Sequence, residues 1–431
     1  MINTGWLVAD RIFRLATALV SSVLLARSLG PAEFGTLQYV FSFVVMFGMA
    51  ASLGTEPILV REIVRRPSEA GSLIGTVIGL RMVTAVVIVM MMVIICHFSD
   101  QEQDLIVMIA IAGLGILLQP IQTLEQFFQA HVAASKSAAV YMFGAMFGGL
   151  WVVFGVLRDA PLLFFAAQPV MEGVFIGIGL FIAFRTFFPY RTTLHFEKQL
   201  ITQLMRECWP LTLSLLMIGV YTNVDKIMIR ELLGNEATGI YAAASKLSEA
   251  FYFIPMVIVN SLFPAIVRAR ELSTEHYKRR LQDLYDLMVW ISIAIALPVS
   301  LIAEWIVVFL YGQEYLYAGA VLSLHVWTAV LVFLGVASGR WFILEGHTGA
   351  YMGRTLVGVV SNIVLNLLLI PTLGILGAAW ATLIAQVMAV LVFDLASKCS
   401  RENFWMKCRA LWLPRRFVAY FGWKHGQLPR L

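Results

Sequence analysis

Several arginines lie within long apolar stretches of the chain, where an ionised side chain needs a partner. Arg11 and Arg14 are three residues apart and share one face of a helix, with Asp10 four residues before Arg14 as an intrahelical partner. Arg81 lies inside a later apolar stretch. Because an arginine stays protonated, it must face an anion, a carbonyl group or water. We therefore predict that these arginines line a wet cavity, the alternative being a structural role.

A second set of charges lies in the C-terminal half of the chain. Asp225 and Lys226 are adjacent, and Lys246 and Glu249 follow in the next apolar stretch. We predict that Asp225 and Lys226 either compensate each other or pair with Lys246 and Glu249. Charges within the membrane are costly and therefore mark functional sites. The carboxylates predicted to act in charge pairing or ion coupling are Asp10, Glu172, Asp225 and Glu249.

The chain carries none of the familiar catalytic motifs. There is no phosphate-binding P-loop, no zinc-protease motif and no nucleophile elbow, so an ATP-driven pump or a common hydrolase has no support. The four cysteines, Cys96, Cys208, Cys399 and Cys408, show no metal-binding spacing. We therefore predict a protein that is not an enzyme, has no cofactor or metal, and does not bind nucleic acid.

The elements that carry these charges are membrane helices. Apolar residues make up 60% of the 431 residues and charged residues only 13%, whereas soluble domains contain about a quarter charged residues. A bilayer-spanning helix needs roughly 20 apolar residues. The sequence predicts an all-α integral membrane protein with about twelve such spans. The predicted spans are 5–28, 36–59, 72–96, 104–127, 137–157, 162–185, 209–231, 237–266, 284–310, 315–345, 351–371 and 374–396.

Basic residues in the links between spans predict the orientation of the chain. They concentrate at 61–66 after span 2, at 185–206 after span 6, at 268–280 after span 8, and in the tail. The opposite links contain little positive charge, and the link at 100–104 contains three acidic residues. Because positive residues stay on the cytoplasmic side, both termini of this multi-pass protein are predicted to be cytoplasmic.

A repeated motif divides the spans into two sets of six. LGPAEFG at 29–35, after span 1, matches LGNEATG at 233–239, after span 7, with both glycines in register. The first glycine of each motif suits the left-handed cap that ends a helix. An offset of six spans preserves orientation, so the halves are predicted to be parallel repeats. The predicted units are an N-terminal six-helix lobe (1–190), a cytoplasmic connecting segment (191–208), a C-terminal six-helix lobe (209–396) and a tail (397–431).

The tail differs in composition from the spans. Tryptophans and basic residues alternate in it, which suits the inner membrane interface and anionic lipid headgroups. The residues concerned are Trp405, Lys407, Arg409, Trp412, Arg415, Arg416 and Trp423.

These residues together resemble the bacterial polysaccharide-transporter flippases. The opening, with Asn3, Trp6, Asp10, Arg11 and Arg14 followed by ARSLGPAEFG at 26–35, is similar to the start of that family. NVDKIMI at 223–229, GIYAAA at 239–244 and FPA at 263–265 resemble its second half. The resemblance extends to about residue 396 and is weaker over spans 3 to 6.

This resemblance implies the two-lobed fold of the multidrug, oligosaccharidyl-lipid and polysaccharide exporter superfamily. It also implies a function, the transfer of undecaprenyl-diphosphate-linked oligosaccharides across the bacterial inner membrane for O-antigen, capsule or exopolysaccharide assembly. A cationic cavity for the diphosphate and sugars would lie at Arg11, Arg14, Arg81, Lys226 and Lys246. The implied partners are the lipid-linked substrate, membrane lipids and the polysaccharide polymerase and chain-length machinery.

Three other functions remain open from the residues. A multidrug or organic-cation antiporter of the same superfamily would use carboxylates such as Glu172, although Asp10 and Asp225 each have a basic neighbour. A lipid II-type flippase would need the same basic cavity. A membrane polymerase or ligase is less well supported, because the outer links are too short to carry a catalytic loop.

The charge distribution leads to a testable topology. Single cysteines placed beside Arg65, Lys198 and Arg279 are expected to react only with reagents that reach the cytoplasm, and one beside Glu102 only with reagents outside. Labelling of intact and permeabilised cells with a membrane-impermeant maleimide measures this. Reaction beside Arg279 in intact cells would contradict the predicted number of spans.

Overall fold

A computed structural model describes residues 2–98, 102–187 and 194–412, and these ranges contain helices and no strand. The N-terminal half forms eight helices. Their bounds are Ile2–Ala51 (α1), Glu56–Arg65 (α2), Ala70–Phe98 (α3), Gln103–Gly113 (α4), Leu124–Ala130 (α5), Ala134–Leu157 (α6), Leu162–Ala166 (α7) and Gln168–Phe187 (α8). A 3₁₀ segment, Leu114–Thr123, joins α4 to α5.

The C-terminal half continues with α9 to α19. Their bounds are Lys198–Leu233 (α9), Asn235–Glu249 (α10), Phe253–Leu272 (α11), Thr274–Leu301 (α12), Ala303–Tyr311 (α13), Leu316–His325 (α14), Thr328–Leu344 (α15), Thr348–Leu373 (α16), Ile375–Val387 (α17), Phe393–Ala396 (α18) and Arg401–Trp412 (α19). A 3₁₀ turn joins α10 to α11, and the π-helical segment Met388–Val392 joins α17 to α18.

The number of membrane spans agrees with the sequence prediction. Ten helices in the described ranges are long and apolar enough to cross a bilayer, or eleven if the bent pair Gln313–His325 and Thr328–Leu344 counts as one span. The first of them, Val8–Arg65, is 58 residues long and contains a break at Gly30. Because roughly 20 residues suffice to cross the hydrocarbon, it represents two spans and the total becomes twelve. The predicted all-α membrane fold is confirmed.

Glycines with positive φ end helices at five turns between spans. They are Gly30 (φ 73°), Gly234 (φ 91°), Gly312 (φ 101°), Gly346 (φ 75°) and Gly374 (φ 62°). Residues with a Cβ rarely adopt this conformation, so glycine lets the chain reverse direction within one residue. We call the end of the bundle that contains the Gly30 and Gly234 turns the outer end, after the predicted orientation, and the opposite end the inner end.

The two copies of the repeated motif contact each other at the outer end. Gly30 and Gly234 have nearly the same backbone conformation, with ψ 174° and −178°. A Cβ on Gly35 would overlap the carbonyl oxygen of Asn235, and a Cβ on Gly239 would overlap that of Pro31. Because Pro31 matches Asn235 and Gly35 matches Gly239 in the repeat, this contact is reciprocal. We call it the glycine contact.

Further contacts reinforce the outer end. The Arg27 guanidinium donates hydrogen bonds to the carbonyl oxygens of Phe309 and Leu310, at the C-terminal end of α13. The Tyr315 hydroxyl donates to the carbonyl oxygen of Ala26 at 3.0 Å. Cations and donors at a helix C-terminus interact favourably with its partial negative charge. Side chains of each half are thereby hydrogen-bonded to the backbone of the other.

The distribution of the apolar cores shows where the two halves join. One core combines residues of both halves near the outer end, among them Phe34, Tyr241 and Tyr315. A second core, which includes Ile58 and Leu204, joins the N-terminal lobe to the start of α9, and a third, which includes Val259 and Phe333, lies within the C-terminal half. Leu204 belongs to the start of α9, which packs on the N-terminal lobe. The lobes therefore share a core at the outer end and have separate cores towards the inner end.

The predicted connecting segment overlaps a helix. Residues 188–193 lie outside the described ranges, and α9 begins at Lys198, ten residues before the predicted end of the segment at 208. Residues 194–197 lie along α3, where a Cβ on Gly75 would overlap the backbone of His195. The amide of Glu197 also donates a hydrogen bond to Thr76 Oγ1 at 3.0 Å. The domain boundaries themselves remain a prediction.

The glycine contact generates a prediction about closure. Gly35→Ala and Gly239→Ala place a methyl group against backbone, which no rotamer change relieves, at a cost of about 1–3 kcal/mol. We expect the outer ends of the lobes to separate, so that a cysteine replacing the buried Ala26 reacts faster with an impermeant maleimide. The measurement uses a background without the four native cysteines.

Gly349→Ala is the matched control, because nothing lies within 4 Å of the Cβ it would add. It is expected to leave the labelling rate unchanged. Equal labelling rates in Gly35→Ala, Gly239→Ala and the control would show that the glycine contact does not hold the outer end closed.

Candidate functional site

A cavity of about 320 Å³ lies in the N-terminal lobe between α1, α6 and α8. Its polar walls include Arg11 and Arg14 from α1 and Gln168 and Glu172 from α8. Small residues leave the space open, because the facing part of α6 contributes Ala145 and Gly149. The remaining lining residues are Leu15, Thr17, Ala18 and Ser21. The structure thus brings together three charged residues singled out in the sequence: Arg11, Arg14 and Glu172.

Arg14 is held in place from two sides. Its Nη2 lies 2.9 Å from Asp10 Oδ2, one helical turn away, and its guanidinium lies 5.0 Å from the centre of the Tyr141 ring. The Asp10 side chain is 5% exposed and that of Arg14 36% exposed. Because the carboxylate lies beneath the guanidinium, Asp10 orients Arg14 while part of the guanidinium still faces the cavity.

Two buried atoms of this pair have no protein partner. Asp10 Oδ1 and Arg14 Nε make no hydrogen bond with any residue in the part of the chain that the structure describes. Unsatisfied buried polar groups cost free energy and are uncommon in native structures. Water or a bound group that supplies both an acceptor and a donor would satisfy them.

The charge of the cavity depends on Glu172. Its carboxylate interacts electrostatically with Arg14 and lies against Gly148, where a Cβ would come within 3.0 Å of Oε2. With Glu172 ionised, the two arginines are balanced by Asp10 and Glu172. With Glu172 protonated, the same four residues carry one net positive charge. A proton on Glu172 therefore favours an anion in the cavity, and its loss favours a cation or no ligand.

Arg81 does not line this cavity. It is buried in α3, where its Nε donates to Thr55 Oγ1 at 2.9 Å and its Nη1 to Thr123 Oγ1 at 3.4 Å. Its Nη2 lies 3.6 Å from Glu56 Oε1. These contacts hold α2 and the 3₁₀ segment against α3. In this conformation the structure favours the structural alternative for Arg81 over its predicted role in substrate binding.

Asp225 is the centre of a polar cluster in the C-terminal lobe. Tyr241 donates a hydrogen bond to its Oδ2 at 2.8 Å, and Thr382 donates to the same oxygen at 2.6 Å. Asn366 donates to Oδ1 at 2.7 Å and also bonds Asn362. The cluster joins α9, α10, α16 and α17, and the donors to Asp225 are all uncharged.

Lys226 pairs with the following helix and not with its neighbour in sequence. Its Nζ lies 3.9 Å from Glu249 Oε1, across the α9–α10 hairpin. Lys246 lies in the same electrostatic environment, close enough to both for the three charges to interact. The sequence predicts two alternative pairings for Asp225 and Lys226. These two residues form no ion pair with each other, whereas Lys226 does pair with Glu249. The proposed contact of these lysines with substrate remains a prediction.

The Asp225 cluster contains partners that the sequence reasoning missed. Asn362 and Asn366 are fully buried in α16, and Thr382 is buried in α17. Two asparagines four residues apart in an apolar span share a helix face, a pattern that could have identified them. The amide and hydroxyl donors satisfy the Asp225 carboxylate without another charged side chain. The described residues contain no group of three metal-ligating His, Cys, Asp or Glu side chains.

Family models identify the class of the chain. The model described as "Polysaccharide biosynthesis protein" matches residues 2–270, and the model described as "MatE" matches residues 210–368. The first match covers more than half of the chain, which therefore belongs to the polysaccharide biosynthesis protein family. The resemblance found in the sequence is confirmed.

Individual relatives have low sequence identity to the chain. The "Probable flippase AglR" of Haloferax volcanii is 29% identical over 187 residues, which are 40% of this chain and 37% of that protein. The "Capsular polysaccharide biosynthesis protein CapF" of Staphylococcus aureus is 22% identical over 211 residues, 47% of this chain and 52% of that protein. The matched regions thus span about half or less of each relative's length.

A solved structure shares the whole fold. The chain superposes on "Lipid II flippase MurJ, inward closed conformation" with a TM-score of 0.73 and 14% identity, over 99% of this chain and 94% of that one. At this identity the likeness establishes the fold alone, two six-helix lobes in the membrane.

The Lys226–Glu249 pair leads to a prediction. Glu249→Gln alone is expected to lower the thermal unfolding midpoint more than Glu249→Gln with Lys226→Met, because the single change leaves Lys226 and Lys246 close together without their carboxylate. Asp225→Asn combined with Lys226→Met is the comparison pair, and no such rescue is expected because their partners differ. A double Lys226/Glu249 variant less stable than Glu249→Gln alone would refute the pairing.

Proposed function

We propose that the chain is a flippase that moves undecaprenyl-diphosphate-linked oligosaccharide units across the bacterial cytoplasmic membrane. The observation that carries the proposal is the cavity that contains Arg11 and Arg14 in a chain of the polysaccharide biosynthesis protein family. The translocated oligosaccharide units would be used in O-antigen, capsule or exopolysaccharide assembly. The polymerase and chain-length machinery would be the partners. The names of AglR, CapF and MurJ, which refer to flippases or capsule synthesis, support this class of substrate.

The chemistry of the cavity suits a lipid diphosphate. Removing its roughly two negative charges from water costs several kcal/mol per ion unless cations replace the lost hydration. Guanidinium groups bind phosphate oxygens in a bidentate manner and keep their charge in the membrane. Arg14 is oriented by Asp10, whereas Arg11 is exposed and makes no ion pair with a described side chain. Arg11 would meet the headgroup first, and Arg14 would hold it.

The membrane potential supplies part of the driving force. The cell interior is negative, so two negative charges that move outward release roughly 4–5 kcal/mol at 100 mV. Protonation of Glu172 would add a positive charge to the loaded cavity and couple binding to protons. Asp225, with its uncharged partners, is the corresponding candidate for ion coupling in the C-terminal lobe.

Alternating access follows from the division of the cores. With the lobes joined at the glycine contact and separate towards the inner end, the cavity would load from the cytoplasmic side. Release on the other side requires that the glycine contact and the Arg27 hydrogen bonds break. Opening would also separate the apolar core that the two lobes share at this end, so the glycine contact is one part of a larger closure.

A multidrug or organic-cation antiporter is the second candidate. Two observations favour it: the carboxylate Glu172 lines the same cavity as the arginines, and the MatE model matches part of the C-terminal half. A cation that moves outward works against the membrane potential and would need an antiported ion. A lipid II-type flippase would use the diphosphate chemistry described above with a different sugar.

The sign of the cargo is tested at Arg14. Arg14→Ala is expected to abolish surface polysaccharide while protein levels persist, and Arg14→Lys to retain partial activity because charge remains without the guanidinium fork. Complementation of a deletion strain, with measurement of lipid-linked oligosaccharide retained on the inner leaflet, provides the readout.

Arg81→Ala serves as the structural comparison. It leaves Glu56, Thr55 and Thr123 without their shared partner, so its expected first effect is a lower thermal unfolding midpoint. Normal polysaccharide in Arg14→Ala cells, together with lost resistance to cationic dyes in the deletion strain, would replace the flippase proposal with the antiporter.

A further inference from the structure

The C-terminal helix α19 follows the last membrane span and is docked on the C-terminal lobe. It packs against α12 and α18, and its buried residues are Asn403, Met406, Lys407 and Ala410. The Gln282 side chain donates a hydrogen bond to the Met406 carbonyl oxygen at 3.0 Å, and Lys278 forms an ion pair with Glu402 at 2.5 Å. One side of α19 is thus an integral part of the lobe.

A buried ion pair fixes the rotation of α19 about its axis. Lys407 Nζ lies 2.6 Å from Asp394 Oδ2, and both side chains are 0% exposed. The ammonium group also donates to the Val390 carbonyl oxygen at 3.0 Å, and Asn403 donates to the same Asp394 oxygen at 3.1 Å. Rotation of the helix would carry Lys407 away and leave the Asp394 charge buried without its partner, which costs several kcal/mol.

This pairing corrects the sequence analysis of the tail. Lys407 was grouped there with the basic residues that face lipid headgroups, but it points into the lobe. Arg415, Arg416 and Trp423 lie outside the described residues. The basic and aromatic side chains of α19 that remain available are therefore fewer than the sequence suggests.

The opposite side of α19 carries these remaining side chains in one stripe. Arg401, Trp405, Arg409 and Trp412 are spaced four, four and three residues apart, and all are exposed. Trp405 is 56% exposed and Trp412 86% exposed. Arg279 and Arg280, also exposed, are next to Lys278 in α12, where α19 docks. Large aromatic rings interleaved with arginines form an amphipathic, positively charged surface.

We propose that this stripe binds the anionic phospholipid headgroups of the cytoplasmic leaflet and anchors the C-terminal lobe to it. Tryptophan rings suit the boundary between headgroups and acyl chains, and arginines attract anionic lipid at about 1 kcal/mol per residue. Only four residues separate α19 from the end of the last span at Ala396, so α19 begins within about 18 Å of that end. A lipid surface is available at that distance without any partner protein.

The anchor acts on one lobe only. The elements that α19 packs against, α12 and α18, both belong to the C-terminal lobe. Arg354 of α16 lies close enough to Lys407 to interact with it electrostatically and bonds Ser338 of α15 at 2.7 Å. Binding of the leaflet would therefore hold the C-terminal lobe as a unit while the N-terminal lobe moves. This inference does not depend on which cargo is carried.

The experiment compares the full-length protein in nanodiscs of phosphatidylcholine alone and with phosphatidylglycerol. Hydrogen exchange of residues 401–412 is expected to slow in the anionic nanodiscs and to recover as salt is added. Arg401→Gln with Arg409→Gln is expected to remove about 25-fold of that protection, since about 1 kcal/mol per arginine corresponds to about fivefold each. Arg158→Gln, a change of an exposed arginine at the outer end, is the matched control.

A second variant separates loss of lipid binding from loss of folding. Arg401→Lys with Arg409→Lys preserves the charge and is expected to retain most of the protection. The same protection in both lipids, or in the Gln variant and the control, would overturn the anchor. Failure of the anchor leaves the flippase proposal intact, because that proposal is tested at Arg14.

Discussion

An ionised side chain in hydrocarbon is stable only beside an opposite charge, a set of dipoles or water, and this constraint organises the interior of the protein. Each buried charged side chain is stabilised by a different set of neighbouring groups. Arg81 is surrounded by hydroxyl groups and Glu56, Asp225 by three uncharged donors, and Lys407 by Asp394 and a carbonyl oxygen. The N-terminal cavity differs because Arg11 and part of Arg14 have no such enclosure. That difference separates charges that maintain the fold from charges that are available to a ligand.

The cavity and the closed outer end depend on each other. Backbone meets backbone at Gly35 and Gly239, an approach that only glycine permits, and the shared apolar core forms around it. A route through the membrane can open on one side only while this contact closes the other. The repeat that relates the two lobes places the same glycine-containing turn in each, and these two turns contact each other. One pair of motifs therefore forms both the joint between the lobes and the proposed gate.

The two proposed functions place opposite demands on Glu172. For an anionic headgroup, a protonated Glu172 leaves the arginines dominant; for an organic cation, an ionised Glu172 is the ligand. Because Asp10 already balances one arginine, a single proton on Glu172 changes the net charge of the site from zero to +1. The family assignment and the orientation of Arg11 and Arg14 support the anionic cargo. Anchoring of α19 would supply a fixed lobe against which the other moves in either case.

The sequence alone determined the membrane class, the twelve spans, the repeat and the family, because these depend on composition, on a glycine-marked turn and on local periodicity. It also identified Arg11, Arg14 and Glu172 as candidate site residues, since a charged residue within an apolar run can be recognised without knowledge of the fold. Tertiary structure decided the partners. Lys226 pairs with Glu249 and not with Asp225, Arg81 is enclosed by α2 and a 3₁₀ segment, and Lys407 turns inward to Asp394. Partners such as Asn366 and Thr382 are more than a hundred residues from Asp225, and only the packing of helices brings such residues within hydrogen-bonding distance.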